Sequence, residues 1–153
     1  MNQVTLKKFH IIGIEVQTTN EQNKSAQDIP LLWEHFWKED VLNRIPNKIC
    51  TAVYSMYTNY EGDHTMPYTT IIGCEVSDLS NIPEGMTGHT IEASTYNKIT
   101  ATGDLTKGLV INEWLKIWEQ QWDRKYTADF EIYDEKAINP QDAEVSIYVA
   151  INE

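Results

Sequence analysis

Glu131 is the residue around which chemistry is most readily imagined in this chain. It lies in Ala128-Asp129-Phe130-Glu131-Ile132-Tyr133-Asp134, a strand-like stretch near the C-terminal end. Alternation along a strand turns Phe130 and Ile132 one way and Glu131 and Tyr133 the other. Just upstream, Trp114, Trp118 and Trp122 fall at i, i+4 and i+8 of a helical pattern. A carboxylate pressed against aromatic surface costs several kcal/mol to desolvate unless it is paired. It takes up a proton with a raised pKa, or it waits for a cation. Each ring facing that cation adds about 0.5–2 kcal/mol. The chemistry implied is recognition of a lipophilic aromatic cation. The plain alternatives are a solvent-facing glutamate and a core-forming Trp stripe. Against them, Trp33 and Trp37 in a second helix add more aromatic area than a small core requires. The expected aromatic walls are Trp33, Trp114, Trp118, Tyr54 and Tyr57, with Tyr60 and Tyr68 as further hydroxyl-bearing rings.

Other chemistries find less support. His10, His35, His64 and His89 are scattered, with no spacing that suits a metal. Cys50 and Cys74 form no close thiol pair, so no zinc motif and no metal or other cofactor is expected. They read as reduced thiols of a cytoplasmic protein, with a disulfide left open. No phosphate loop, nucleophile elbow or Cys/His pair is present. General acid/base work by Glu131 with Tyr54 or Tyr133 stays possible, which would make the protein a hydrolase. The net charge of −11 argues against direct nucleic-acid binding, which needs a basic face. The same charge concentrates cations. No run approaches transmembrane length, so no membrane association is expected.

The elements that must position these residues follow from periodicity. Residues 1–17 read as a first strand, and residues 18–27 as a polar loop. Asp28 is expected to cap a helix with Pro30 in its first turn. Leu32, Trp33, Phe36, Trp37 and Val41 give that helix an apolar face, and it ends near Pro46. Residues 51–60 and 68–76 read as strands of a hairpin, turning through Glu61-Gly62-Asp63-His64. Residues 77–88 read as a linker, and residues 89–103 as one or two strands. A long helix is expected from Leu109 to about Arg124, then strands over residues 127–133 and 145–151.

The second half repeats the plan of the first. Trp33-x-x-x-Trp37 has a counterpart in Trp114-x-x-x-Trp118, and laying Tyr54 on Glu131 lays Tyr68 on Val145. The expected fold is α+β: one domain over residues 1–153, built from duplicated β-α-β-β units at about 1–78 and 86–153. Two helices would lie on a curved antiparallel sheet. A pseudo-two-fold axis would bring Tyr54 and Glu131 to equivalent places facing one cavity.

With these features assembled, the chain resembles the GyrI-like, AraC-type effector-binding domain family. The resemblance rests on the duplicated plan, on Tyr68-Thr69-Thr70-Ile71-Ile72-Gly73-Cys74-Glu75-Val76, on Trp122 to Tyr133 with Asp129-Phe130-Glu131-x-Tyr133-Asp134, and on the last strand. It covers essentially the whole chain. The resemblance implies that Glu131 is the pocket glutamate and that the ligands are lipophilic cations, multidrug-type compounds among them. Members fused to helix-turn-helix domains regulate transcription; this chain has no room for such a domain. It is similar to stand-alone members, including a cationic drug-binding module carried on integron cassettes. Other stand-alone members inhibit DNA gyrase or act as hydrolases, which keeps open a protein partner (a regulator or topoisomerase).

Overall fold

The computed structural model describes residues 2–63 and 65–152. Met1, at the start of the expected first strand, and His64, in the expected turn, lie outside the described residues. Eight strands form one antiparallel sheet: β1 (Asn2–Leu6), β2 (Phe9–Thr18), β3 (Val53–Thr58), β4 (Tyr68–Val76), β5 (Thr87–Ile91), β6 (Ser94–Gly103), β7 (Ala128–Tyr133) and β8 (Ala143–Ile151). Among the described residues three α-helices accompany them: α1 (Ser25–Lys38), the single turn α2 (Val41–Arg44), and α3 (Leu109–Glu119).

The strand order across the sheet is β1-β6-β8-β7-β3-β4-β2-β5. The expected first strand is therefore two strands. It breaks at Lys7-Lys8, and its pieces pair with different neighbours, β1 with β6 and β2 with β4 and β5. Two strands precede each long helix, where the expected unit had one. In a flat sheet β1 and β2 would stand six strand spacings apart, about 29 Å. Leu6 and Phe9 are joined by three Cα steps, which reach at most about 11 Å. The step from β5 to β6, through Glu92 and Ala93, is equally short. The sheet must therefore roll until its edges approach.

Rolling gives the sheet two buried faces. The face turned away from the helices carries Ile11, Met56, Ile71, Tyr96, Phe130 and Ala150. On the other face α1 buries Leu32 and Phe36 against Ile12, Val53, Ile72, Cys74 and Val76. Beside it α3 buries Trp114 and Ile117 against Ala101, Val145, Ile147 and Val149. Each large side chain fully buried in this way stabilises the fold by about 1.5–3 kcal/mol.

The helices differ from expectation at their ends. Helix α1 starts at Ser25, three residues before Asp28. Asp28 is not its cap: its carboxylate accepts a hydrogen bond from Thr18 Oγ1 at 2.8 Å, tying the helix to the end of β2. Asp40, in the left-handed region at φ 53°, separates α1 from α2. Helix α3 stops at Glu119, so Trp122 and Arg124 lie beyond it. The reason is tertiary: Arg124 bridges to Ile151, Lys125 N–H donates to Ala150 O, and Asn152 N–H donates to Asp123 O. Backbone pairing with the end of β8 replaces the last helical turn.

Candidate functional site

The site grows from β7. Its register against β3 pairs Val53 with Tyr133, Ser55 with Glu131, and Tyr57 with Asp129. Directly opposed residues share a face of the sheet. Asp129, Glu131 and Tyr133 therefore point with Ser55 and Tyr57 toward the helices. Tyr54 is paired with Ile132 and points to the other face, where it packs on Phe9 and Phe130 and donates to Glu75 at 2.8 Å. The expectation that Tyr54 and Glu131 share one cavity is corrected here. Laying Tyr54 on Glu131 set a spacing without fixing which face each residue takes, and an odd slip moves a strand residue to the opposite face.

Glu131 is 1% exposed and holds three donors. Its Oε2 accepts from Tyr57 Oη at 2.6 Å and from Trp114 Nε1 at 2.7 Å; its Oε1 accepts from Tyr133 Oη at 2.5 Å. All three donors are uncharged, and among the described residues no cation pairs with it. Burial raises its pKa, and the hydrogen bonds from Tyr133, Tyr57 and Trp114 oppose that rise. Burial also pushes the phenols of Tyr57 and Tyr133 well above their ordinary value, so both remain donors.

Asp129, two residues earlier on the same face, is the opposite case. It is fully buried but paired with Arg124 Nη2 at 2.8 Å, and it accepts from Tyr60 Oη at 2.5 Å and from Ala150 N–H at 2.8 Å. Burial pushes its carboxyl up; Arg124 and the two other donors pull it back. Arg124 lies over the ring of Tyr126, 4.4 Å from the centroid, and 5.9 Å from that of Trp114. Tyr126 adopts φ 56°, a conformation that a bulky residue rarely takes.

Two cavities flank Glu131. The smaller, about 70 Å³, is lined by Tyr57, Trp114, Trp118, Tyr60, Tyr68 and Arg124, among others. The larger, about 780 Å³, is walled by Trp33, Trp37, Val53, Tyr133 and Leu105, with Asp134 and Glu135 also lining it. Tyr57 and Trp114 stand between Glu131 and the smaller cavity, and Tyr133 between Glu131 and the larger. Trp33 meets Tyr133 edge-on at 5.1 Å and stacks on Trp37 at 6.2 Å.

Of the residues expected to form the site, Glu131, Tyr57 and Trp114 are in direct contact, Trp118 lines the smaller cavity, and Trp33 the larger. Tyr54 is elsewhere. Tyr133, expected from alternation to point with Glu131, touches it. Arg124 was not expected there, because the helical pattern hid its extended backbone. Among the described residues no group of three His, Cys, Asp or Glu side chains could hold a metal, and no helix is long and apolar enough to cross a membrane.

Comparison with known proteins now adds to this geometry. Residues 4–151 match the family model described as Cass2, integron-associated effector binding protein. The chain is 31% identical to YobU of Bacillus subtilis (strain 168) over 159 residues, spanning 99% of this chain and 96% of YobU. It is similar in structure to the integron cassette protein VCH_CASS2 from the mobile metagenome of Vibrio cholerae, with a TM-score of 0.76 and 27% identity, covering 99% of this chain and 95% of that one. SAV2435, solved with tetraphenylphosphonium, gives a TM-score of 0.81 at 16% identity, covering 99% and 93%. At that identity the likeness is one of fold.

Proposed function

The chain belongs to the integron-associated effector binding protein family, Cass2, and from that premise we propose that it binds lipophilic aromatic cations beside Glu131. The observation that carries this reading is a buried carboxylate with three neutral donors and no cation, set between two aromatic cavities. A cation of matching size would supply the missing charge. The larger cavity, about 780 Å³, falls in the range of small-molecule sites, roughly 300–1,000 Å³. Trp33, Tyr133 and Trp37 offer it ring faces, and Asp134 and Glu135 keep it acidic. Trp114, Tyr57 and Trp118 form the wall on the other side. The fold neighbour SAV2435, solved with tetraphenylphosphonium, supports this ligand class. Tyr54 has no part in the site.

We also infer that the chain is one domain of two repeats. Exchanging β1 with β5, β2 with β6, β3 with β7 and β4 with β8 turns the strand order into its own reverse. A pseudo-two-fold axis between β3 and β7 accounts for that, and it sets α1 and α3 on either side of Glu131.

The test is tryptophan fluorescence during titration with tetraphenylphosphonium and with a neutral tetraaryl isostere. The expected result is tight quenching by the cation alone, with affinity falling about tenfold or more in Glu131→Gln, as for loss of a charge-assisted contact of about 1.5–3 kcal/mol. Equal affinity of the variant and the original protein for the cation would remove charge pairing from the mechanism. Recovery of the ligand unchanged separates binding from hydrolysis.

A further inference from the structure

Another cavity lies on the opposite face of the sheet and takes no part in cation binding. It holds about 300 Å³, at the lower end of the range for small-molecule sites. Strand β7 is the partition: Glu131 and Tyr133 point to the helices, while Phe130 and Ile132 line this cavity. Tyr54 and Tyr148 both stack on Phe130, with centroids 5.6 and 4.8 Å away. Phe9 completes the aromatic wall, and the β1–β2 junction closes one side with Lys7 and Lys8. Glu75 brings a half-buried carboxylate, whose Oε1 accepts from Tyr54 Oη at 2.8 Å. Burial, then that carboxylate, push the Tyr54 phenol up, so it stays a donor. Among the described residues nothing donates to Glu75 Oε2, and the Tyr148 hydroxyl makes no hydrogen bond. Among the same residues Lys7 and Lys8 make no ion pair. Lys98 Nζ lies over the Tyr148 ring, 5.6 Å from its centroid. Three of the 12 basic residues thus gather around one cavity, in a chain whose net charge is −11.

We propose that this cavity is a second small-molecule site, which binds an aromatic carboxylate carrying a phenolic hydroxyl. The ring of the ligand packs among Phe9, Ile132 and Tyr148, its carboxylate meets Lys7 and Lys8, and its phenol donates to Glu75 Oε2. Charge decides the sign of the ligand. Two lysines and one carboxylate on the walls carry +1 together, which a monoanion cancels and a cation would worsen. At physiological salt, fields fade over about 8 Å, so these lysines outweigh the distant acidic surface. The hydroxyl follows from Glu75: a neutral donor gives its free oxygen a charge-assisted hydrogen bond and leaves the balance undisturbed. The two faces of the sheet thus take aromatic ligands of opposite charge. The second site does not depend on Glu131.

The test titrates the full chain calorimetrically with the para-hydroxy derivatives of benzoate, phenylacetate and phenylpropionate. The controls are the same acids without the hydroxyl and the methyl esters of the hydroxy acids. At the best length the hydroxy acid is expected to bind about tenfold tighter than the acid without the hydroxyl, the scale of one hydrogen bond to a charged group. Its methyl ester should bind severalfold more weakly, the scale of exposed ion pairs. In the double variant Lys7→Gln, Lys8→Gln, which alters exposed side chains alone, the ratio of acid to ester affinity should fall toward one. In Glu75→Gln the advantage of the hydroxyl should shrink. Amide resonances of residues 7–9, Glu75 and Tyr148 should shift on binding, and the indole resonances of Trp33 and Trp114 should not. Any one of four results would overturn the proposal: no saturable binding at millimolar concentration, shifts confined to the helix face, displacement of the acid by tetraphenylphosphonium, or an acid-to-ester ratio undiminished in the lysine variant.

Discussion

At the scale of single residues, two carboxylates on one strand face show what pairing does. Asp129 and Glu131 are equally buried, yet one has an arginine and the other has none. Removing the cation by Arg124→Ala would leave Asp129 buried without a counter-charge, at a cost of about 3–5 kcal/mol in unfolding free energy, measurable by urea denaturation. Like Asp129, whose carboxyl burial also leaves raised, Glu131 answers to pH. Its folded pKa is raised, so between the unfolded and folded values the native protein keeps a proton that the unfolded chain has lost. Stability therefore falls as pH rises through that window, and Glu131→Gln should flatten that part of the fall. Binding has the opposite sign. A cation favours the carboxylate, so its affinity should rise with pH through the folded value, while Glu131→Gln shows no such rise; calorimetric titration across pH checks both. Glu131 was legible because a strand's alternation and the Trp spacing need no tertiary information. Its lack of a charged partner was not, since that depends on where Arg124 goes.

At the scale of elements, the misreadings share one cause. Helical periodicity carried α3 on to Arg124, but pairing of residues 123–125 with the end of β8 claimed that backbone. Tyr54 was misplaced because repeat matching sets spacing without fixing parity, and only the register of β3 on β7 does that. The hairpin of β3 and β4 was legible, as both strands are β-rich and bounded by turn residues. The approach of β2 to β4 is another matter that only the structure reveals. Gly13 lies opposite Gly73, and a Cβ on Gly73 would stand 2.2 Å from the Ile12 carbonyl oxygen. Relief requires the backbone to move. Gly73→Ala should therefore destabilise the protein by at least about 2 kcal/mol, read as a lower denaturation midpoint.

At the scale of the whole molecule, charge and connectivity matter most. A net charge of −11 surrounds the site at which a cation is proposed to bind. Added salt should slow association of a phosphonium severalfold and leave its neutral isostere unaffected, with little change in dissociation; stopped-flow fluorescence distinguishes the two rates. The α+β class was legible from the order of periodic segments. The rolled sheet was not, because it follows from which strands become neighbours. The short passage at Lys7-Lys8 has a consequence for how the chain is born. Strand β1 is made well before its partner β6, which begins at Ser94. β1 must stay without that partner on the ribosome until all the residues up to β6 have followed it. During that wait, β6 of a second nascent chain is as good a partner as its own.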